Sequence, residues 1–443
     1  MATRVLLVGG GAREHAMAEA IVRSGGELHA ILKNKNPGIL GLAKAHAIMS
    51  ETDCDAIVER ALAWGCTLAV VGPEAPLEAG VSDALAEAGI PSASPSKKAA
   101  EIESSKEFMR KLLDEHTIPG RLQWRVFDNP RGLKTYIDRV GDVVVKPIGL
   151  TGGKGVKVMG EHLADSEEAA AYAKEILDTK FGGAKVLIEE KVTGEEFSVM
   201  AFCDGNVAVP MPAVQDHKRA YEGDRGHNTG GMGTYTGENG LLPFLTKHDY
   251  EEAALIVQKI LDALKAEGRA YTGAIYGQFM LTADGPRVIE VNARFGDPEA
   301  MNALHLLDSN YIDLLTAMVE GSLSKKKVTF RKEATVCKYV VPEGYGTAQS
   351  KAGVEVKIDR EAVEKAGAKI YYAAVNEDAG RITTTTSRAI GVVASGPTID
   401  AANEKVEAAL KHITGDGLFV RHDIGTKDLV QRRVQHMKKL RGN

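Results

Sequence analysis

Two stretches of the sequence combine residue types and spacings that can do chemistry. Residues 143–158 read Val-Val-Val-Lys-Pro-Ile-Gly-Leu-Thr-Gly-Gly-Lys-Gly-Val-Lys-Val, two β-type runs around a loop with Gly149, Gly152, Gly153 and Gly155 and with Lys146 and Lys154. Glycines let backbone N–H groups approach a phosphate chain, and the lysines supply positive charge. No Lys-Ser or Lys-Thr pair follows and the next element reads as strand, so this is not a Walker loop. A flexible β-hairpin lid over phosphates is the expectation, against the plainer alternative of a tight hairpin.

The second stretch, 276–298, is the most informative. Gly277-Gln278-Phe279-Met280-Leu281 and Val288-Ile289-Glu290-Val291-Asn292 flank Thr282-Ala283-Asp284-Gly285-Pro286, which predicts an antiparallel hairpin. Alternation places Glu290, Asn292 and Arg294 on one face and Ile289, Val291 and Ala293 on the other. With the turn centred on Asp284, Gln278 falls opposite Glu290. Gln278, Glu290 and Asn292 then converge as hard oxygen ligands suited to Mg²⁺ or Mn²⁺, supplemented by phosphate oxygens. Arg294 beside them can grip a carboxylate or phosphate in two-pronged fashion. An exposed sheet face would tolerate the same residues. The Arg-Phe-Gly-Asp-Pro-Glu run that follows is unlike a simple surface turn.

A third stretch is ambiguous on its own. Residues 186–199, Val-Leu-Ile-Glu-Glu-Lys-Val-Thr-Gly-Glu-Glu-Phe-Ser-Val, read as a strand, a short connection and a second strand. In a nucleotide pocket the connection can bond an adenine edge, one carboxylate can accept from the exocyclic amine, and another can hold both ribose hydroxyls. Solvated turn acids would look the same.

These groups need elements to position them. Val5-Leu6-Leu7-Val8, Leu28-His29-Ala30-Ile31-Leu32 and Leu68-Ala69-Val70-Val71 read as buried strands, with an Ala-rich helix starting near Arg13, giving an α/β unit with a parallel sheet. Gly9-Gly10-Gly11 invites comparison with a dinucleotide fingerprint, but Glu14 replaces its third glycine. The second strand ends in Lys33-Asn34-Lys35 and not in a ribose-binding acid. Gly72-Pro73-Glu74 lies where such sheets bind ligands. A boundary is expected near Ser94-Pro95-Ser96. Beyond Lys325 strands at 334–341 and 370–375 alternate with turns, before an amphipathic helix at 399–410 and a basic helical tail at 431–441 read as solvated surface. There is no internal repeat.

Composition narrows the function. A chain of 443 residues exceeds one core and implies two to four domains. Its 60 acidic and 55 basic residues leave no basic field for nucleic acid. Cys54, Cys66, Cys203 and Cys337 are too dispersed for a metal or redox pair, and the N-terminus carries no targeting or membrane segment. The expectation is a cytoplasmic, soluble protein with no membrane or nucleic-acid partner, a monomer or small homo-oligomer.

Several blocks carry a resemblance. Gln215-Asp216-His217-Lys218-Arg219, Asn228-Thr229-Gly230-Gly231-Met232-Gly233 and Asn292-Ala293-Arg294-Phe295-Gly296-Asp297-Pro298-Glu299 resemble the signature blocks of the phosphoribosylamine–glycine ligases, an ATP-grasp family. Residues 9–15, 71–77 and 105–106, the 149–155 loop and Arg421-His422-Asp423-Ile424-Gly425 extend the likeness over nearly the whole chain. Ile148 departs from it, standing where the lid usually carries an Asp, and Gln278 and the 342–346 segment also differ from commoner versions.

The resemblance implies an N-terminal α/β parallel-sheet domain (1–103), a central ATP-grasp domain (104–325) with a lid subdomain (about 125–188), and a C-terminal mixed α/β domain (326–443). It implies that ATP, with Mg²⁺ or Mn²⁺, drives ligation of glycine to 5-phosphoribosylamine through glycyl phosphate, in purine synthesis. By the same likeness Lys106, Lys146, Gly152, Gly153, Lys154 and Gly155 meet the phosphates. Glu189, Glu190, Lys191 and Val192 clamp the adenine and Glu196 takes the ribose. Gln278, Glu290 and Asn292 match metal ligands. Gly10, Gly11, Arg13, Glu14, Pro73, Glu74, Asp216, Asn228, Thr229, Gly230, Gly231 and Arg294 line the substrate sites, with Arg294 and Asp216 as catalytic candidates. Lys218 and Arg219 face the ribose phosphate or form a solvated basic pair, Arg421 reaches a substrate phosphate, and His217 is structural. The competing readings are another ATP-grasp carboxylate–amine ligase with a different acid substrate, and a nicotinamide oxidoreductase or non-catalytic nucleotide binder.

Overall fold

A computed structural model describes residues 2–149 and 155–442. The N-terminal strands Arg4–Val8, Glu27–Leu32 and Leu68–Val71 form the expected parallel sheet, joined at the edge by Ala45–Ile48, in the order 45–48, 27–32, 4–8, 68–71. Their residues are almost all buried, as befits strands covered on both faces. The helix Ala12–Arg23 leaves the C-terminal end of the first strand, and its opening is capped from within: Glu14 Oε2 accepts the Gly11 N–H at 2.8 Å.

Past the loop at Ser94, the helices Lys97–Ser104 and Lys106–Glu115 are each started by a serine, Ser96 accepting from the Ala99 N–H and Ser105 from the Phe108 N–H. A four-stranded sheet of Trp124–Phe127, Val186–Glu190, Val143–Pro147 and Lys157–Val158 follows, with the helices Leu133–Val140 and Ser166–Thr179 against it. It has its own apolar core, including Phe127, Ile137, Val145, Ile176 and Ile188, separate from the two larger ones. A small body with a private core can move relative to its neighbours. The strands Val143–Pro147 and Lys157–Val158 pair antiparallel, Val144 opposite Val158, while the loop centre at 150–154 lies outside the described residues.

Beside it stands the antiparallel sheet Ala208–Pro210, Glu195–Asp204, Thr272–Thr282, Gly285–Asn292, backed by the helix Lys247–Ala266. The expected hairpin is present with Gln278 paired to Glu290, turning through Ala283 and Asp284. One detail differs from strict alternation. The register slips between Gln278 and Phe279, so Ile289 is an extra residue on its strand and is only partly buried, while Val288 takes the core position.

The largest sheet was not legible as a unit. Its order is Gln215–Asp216, Gly233–Thr236, Ala334–Pro342, Ile390–Gly396, Ala368–Tyr372, with Leu418–Val420 also on the 334–342 strand. Two short strands from the middle of the chain therefore extend a C-terminal sheet. The junction requires a glycine: Gly233 has φ +153°, and a Cβ there would lie 2.3 Å from the Cys337 carbonyl oxygen. The tail reading is also corrected. In the helix Lys427–Leu440, Leu429 and Met437 are buried, Arg433 pairs with Asp224 and Glu195, and Arg441 beyond its end pairs with Asp249, so one face is docked and not solvated. Among the described residues no helix is long and apolar enough to cross a membrane.

Gly233→Ala is expected to cost at least about 2 kcal/mol, since neither the backbone conformation nor the space accepts a side chain. Denaturant unfolding of the purified variant measures it, and an unchanged midpoint contradicts the account.

Candidate active site

The cleft lies where the small sheet, the Thr272–Asn292 hairpin and the 215–236 segment face one another. Because side chains alternate, Glu196 and Gln278 on adjacent strands reach the same face, and Glu290 is Gln278's cross-strand partner. Gln278 Nε2 donates to Glu196 Oε2 at 2.6 Å, and its Oε1 accepts from Lys218 Nζ at 2.7 Å. The Lys218 ammonium also lies 3.8 Å from carboxylate oxygens of both Glu196 and Glu290. Burial opposes its charge, but Glu290, Glu196 and Asp216 outweigh that and hold its pKa above the usual lysine range. Glu290 is held below the ordinary carboxylate range: burial pushes up, Lys218 and Lys146 push down further. Asn292 Nδ2 lies 3.4 Å from Glu290 Oε1.

As a cation site this set is uneven. Glu290 keeps 41% of its side chain exposed and has Asn292 beside it, so both can offer oxygen to a hard divalent ion. Gln278 is only 2% exposed and its oxygen is engaged by Lys218, so in this arrangement it stands behind the ligands instead of among them. Among the described residues no group of three or more His, Cys, Asp or Glu side chains could hold a metal.

The basic side of the cleft is built on Glu189. Its carboxylate is buried, 2.5 Å from Arg110 Nε and 2.6 Å from Lys146 Nζ. Burial alone would raise its pKa, but the two cations bring it down to about 2. A carboxylate so enclosed does not reach a nucleobase, which corrects its reading as part of an adenine clamp: it anchors Lys146. Lys106 Nζ donates to the Gly149 carbonyl, and burial together with Lys146 lowers its pKa. Two lysines thus flank the start of the glycine loop. Gly152, Gly153 and Lys154 lie outside the described residues. Gly155 packs against Phe181. Glu190 Oε1 accepts from the Gln123 N–H and Lys191 Nζ donates to the Met159 carbonyl, so both side chains serve the lid and only the backbone of this connection, with Val192, remains for a base.

On the other side Arg294 ties three segments together. Its Nη2 is 3.0 Å from Glu103, its Nε 3.5 Å from Glu74, and its Nη1 donates to the Phe295 carbonyl. Glu74, next to Pro73, is held near pKa 2: burial is overcome by Arg294 and Arg13. Glu103 is raised by burial despite Arg294. Arg13 bonds Glu14 and the Phe295 carbonyl, and Glu14 is shut in, since a Cβ on Gly72 would lie 2.1 Å from its Oε1. Arg13 and Glu14 are therefore spent on each other, and Glu14 fills the gap among Gly9, Gly11 and Gly72 where a dinucleotide fingerprint keeps a glycine for close helix–strand packing, which argues against the nicotinamide reading. Gly10 contributes its carbonyl to Asn36.

The Asn228–Gly231 loop returns to the same region. Thr229 donates both its N–H and its hydroxyl to the Lys218 carbonyl, and Gly231 N–H bonds the Thr229 hydroxyl. Asp216 accepts the His217 N–H. Burial and the neighbouring Glu299 push its pKa well above the usual range. Lys218 points into the cleft while Arg219 points away to Glu161 and the Gly226 carbonyl, so the two do not form a pair. His217 is buried, donates Nδ1–H to the Gly233 carbonyl, and is kept neutral by burial and by Arg421, with a pKa of about 3. Arg421 is fully buried and clamped by Asp224 and Asp423, which corrects its assignment to a substrate phosphate.

Comparison with known proteins gives the family. Family models of phosphoribosylglycinamide synthetase match in order: the N domain over residues 3–103, the ATP-grasp (A) domain over 104–300 and the C domain over 335–427. The phosphoribosylamine–glycine ligase of Methanothermobacter thermautotrophicus is 50% identical over 440 residues, covering 99% of this chain and 100% of that one. The chain belongs to the phosphoribosylamine–glycine ligase family, and it is an ATP-dependent ligase. The Pyrococcus horikoshii phosphoribosylamine–glycine ligase is 46% identical over 438 residues, covering 99% and 98%. The crystal structure of the Thermotoga maritima phosphoribosylamine–glycine ligase superposes with TM-score 0.81 at 26% identity, covering 95% of this chain and 100% of that one. The biotin carboxylase domain of Hydrogenobacter thermophilus 2-oxoglutarate carboxylase shares the fold, with TM-score 0.74 at 16% identity over 99% of this chain and 98% of that one.

Arg110, Glu103 and Arg388 contribute to the site without belonging to any motif, and Glu299 belongs to one without an assigned role. Arg110 left no signal beyond being a charge on an otherwise apolar helix face. Glu299 closes the Asp297-Pro298-Glu299 block and accepts the Tyr276 hydroxyl at 2.8 Å.

Arg110→Met leaves Glu189 buried with Lys146 alone and is expected to cost about 3–5 kcal/mol. The pH dependence has a definite sign. Glu189 titrates lower folded (about 2) than its ordinary value of 4.5, so its contribution is complete above pH 4.5 and is lost as the pH falls towards 2. Urea unfolding of wild type across that window should show the decline, and Arg110→Met should flatten it.

Proposed function

We propose that this enzyme ligates glycine to 5-phosphoribosylamine with conversion of ATP to ADP and phosphate, giving glycinamide ribonucleotide in purine synthesis. The observation that carries the reading is the meeting, in one cleft, of two phosphate-side lysines, an oxygen-bearing hairpin face and the Asn228–Gly231 and Arg294 segments. The cell's cytoplasm is the compartment that suits it, with four cysteines that are all free.

A carboxylate is a poor electrophile, so the reaction proceeds in two transfers. A glycine carboxylate oxygen attacks the γ-phosphorus and ADP leaves, forming glycyl phosphate. The amine nitrogen of phosphoribosylamine then attacks the acyl carbon, phosphate leaves, and the nitrogen gives up a proton. Lys106 and Lys146 offset charge on the phosphate chain, with the glycine loop supplying N–H groups. Glu196 takes the ribose hydroxyls and the backbone of residues 190–192 the adenine edge. Glu290 and Asn292 would hold Mg²⁺ or Mn²⁺, which neutralises phosphate charge during transfer. Arg294, oriented by Glu74 and Glu103, takes glycine's carboxylate. Asp216 and the 228–231 loop line the approach of the amine.

Holding the reactants in line can replace roughly 7–11 kcal/mol of barrier. Water competes for the acyl phosphate. The lid, with its private core and its hairpin over the phosphates, excludes it.

ATP consumption by wild type should require glycine and freshly generated phosphoribosylamine together, with the product identified by mass. Dependence on a different acid would favour another ATP-grasp ligase. Glu290→Ala should lower turnover on the order of a hundredfold or more while circular dichroism is unchanged. Near-normal activity at saturating Mg²⁺ would remove Glu290 from the cation site. Arg294→Lys should raise the KM for glycine about tenfold, the loss of one charge-assisted bond, with ATP affinity preserved. A selective fall in ATP affinity would transfer Arg294 to the nucleotide side.

A further inference from the structure

Arg388 lies in the C-terminal part of the chain, on the turn between the strands Arg381–Thr384 and Ile390–Gly396, far in sequence from every motif of the cleft. Its guanidinium nevertheless ends among them. Nη1 donates to the Gly230 carbonyl at 2.6 Å and to the Asp297 carbonyl at 2.7 Å, and Nη2 meets Asp297 Oδ2 at 3.0 Å. The same group lies over the Tyr339 ring, 4.7 Å from its centroid, and the Tyr339 hydroxyl donates to the other oxygen of Asp297. Asp297 is thereby bracketed on both oxygens. Gly230 is held from both sides too, because its N–H donates to the Tyr345 hydroxyl at 3.1 Å while its carbonyl accepts from Arg388.

The partners are telling. A purely stabilising ion pair needs one carboxylate, and Asp297 would satisfy it. Arg388 instead spends a donor fork on two main-chain carbonyls, one from the Asn228–Gly231 loop and one from the Asp297-Pro298-Glu299 turn. Gly230 is the exposed residue of its loop, between buried Thr229 and Gly231, and both polar groups of its peptide links are taken by C-terminal side chains, Tyr345 and Arg388. The guanidinium takes both carbonyls through Nη1 while Nη2 meets the carboxylate, a planar spread of donors that the single nitrogen of a lysine would have to serve alone. The stacking on Tyr339 removes the freedom of the guanidinium to swing away.

We propose that Arg388 is a positioning residue for the amine-accepting half of the reaction: with Tyr345 it sets the Gly230 peptide, and so the loop and Asp216 beside it, at the mouth where the ribosylamine enters. The C-terminal sheet then acts as a template for that subsite and has no part in holding the nucleotide. This rests on the ligase reading above and adds a residue to it.

The experiment compares wild type, Arg388→Met, Arg388→Lys and Tyr345→Phe in ATP turnover with glycine and phosphoribosylamine, alongside ADP affinity by calorimetry. Wild type comes first, because absence of amine-dependent turnover there sinks the ligase reading itself and not this inference. In Arg388→Met the KM for the amine should rise, and kcat fall, each about tenfold, with the KM for ATP and the ADP Kd within about twofold of wild type. Arg388→Lys should recover part of kcat, since it restores charge against Asp297 but not the fork, and Tyr345→Phe should shift the amine KM in the same direction by about threefold. The proposal is overturned if Arg388→Met keeps the wild-type amine KM and kcat, or if its ADP affinity falls by the same factor. Should Arg388→Met fail to fold, Tyr345→Phe decides, a raised amine KM supporting the proposal and an unchanged one overturning it.

Discussion

A cleft meant to receive a triphosphate, a divalent cation and a carboxylate cannot be lined with one sign of charge, and the balance struck around Lys218 is what the rest of the structure serves. Its ammonium stands between Glu196, Glu290 and Gln278, close enough to all three that burial fails to discharge it. Left without that cation, two carboxylates on the strands either side of Thr272–Thr282 would face each other in a low-dielectric space, where repulsion is several times stronger than in water. The same logic recurs on the basic side. Lys146 and Arg110 share Glu189, and Arg294 is shared by Glu74 and Glu103. Each charge that a ligand must meet is held from behind by an opposite one.

That arrangement draws on every part of the chain. Lys218 sits on a segment whose flanking strands extend the C-terminal sheet, Glu290 rises from the central hairpin and Glu196 from the strand Glu195–Asp204 beside it, and Glu74 opens the helix after the last N-terminal parallel strand. Gly233 is the hinge of the assembly, because close approach to the 334–342 strand brings the 215–236 segment under C-terminal control. The small sheet with its own core is exempt from these ties, which is what a cover needs. Its polar contacts with the remainder include Lys106 to Gly149, Lys146 through Glu189 to Arg110, Lys185 to Glu107, Trp124 to Asp114, and Arg219 to Glu161.

Where expectation and structure part, the cause is that a side chain's type does not reveal its partner. Glu189 and Glu196 are both acids on the same predicted strand pair, but one is sealed by Arg110 and the other opens to the cleft. Arg421 and Arg294 are both family-like arginines, but Asp224 and Asp423 exhaust the first. Alternation puts Ile289 on the face of Val291 and Ala293, and a bulge that no alternation rule contains displaces it. Arg110 and Arg388 carry no motif at all, since what makes them matter is backbone carbonyls and carboxylates brought together from 79 to 179 residues away in one case and 91 to 158 in the other.

The chain's residue order by itself determined the class of chemistry, the parallel N-terminal sheet, the lid hairpin and the Gln278–Glu290 register, because each depends on local periodicity, turn residues or a short motif. Tertiary structure alone decided which charges are spent in mutual pairing and which remain for substrate, and that a C-terminal sheet carries the loop of the central signature. The physical reason is that ionisation, burial and hydrogen-bond satisfaction are properties of neighbours in space, and neighbours here come from opposite ends of the chain.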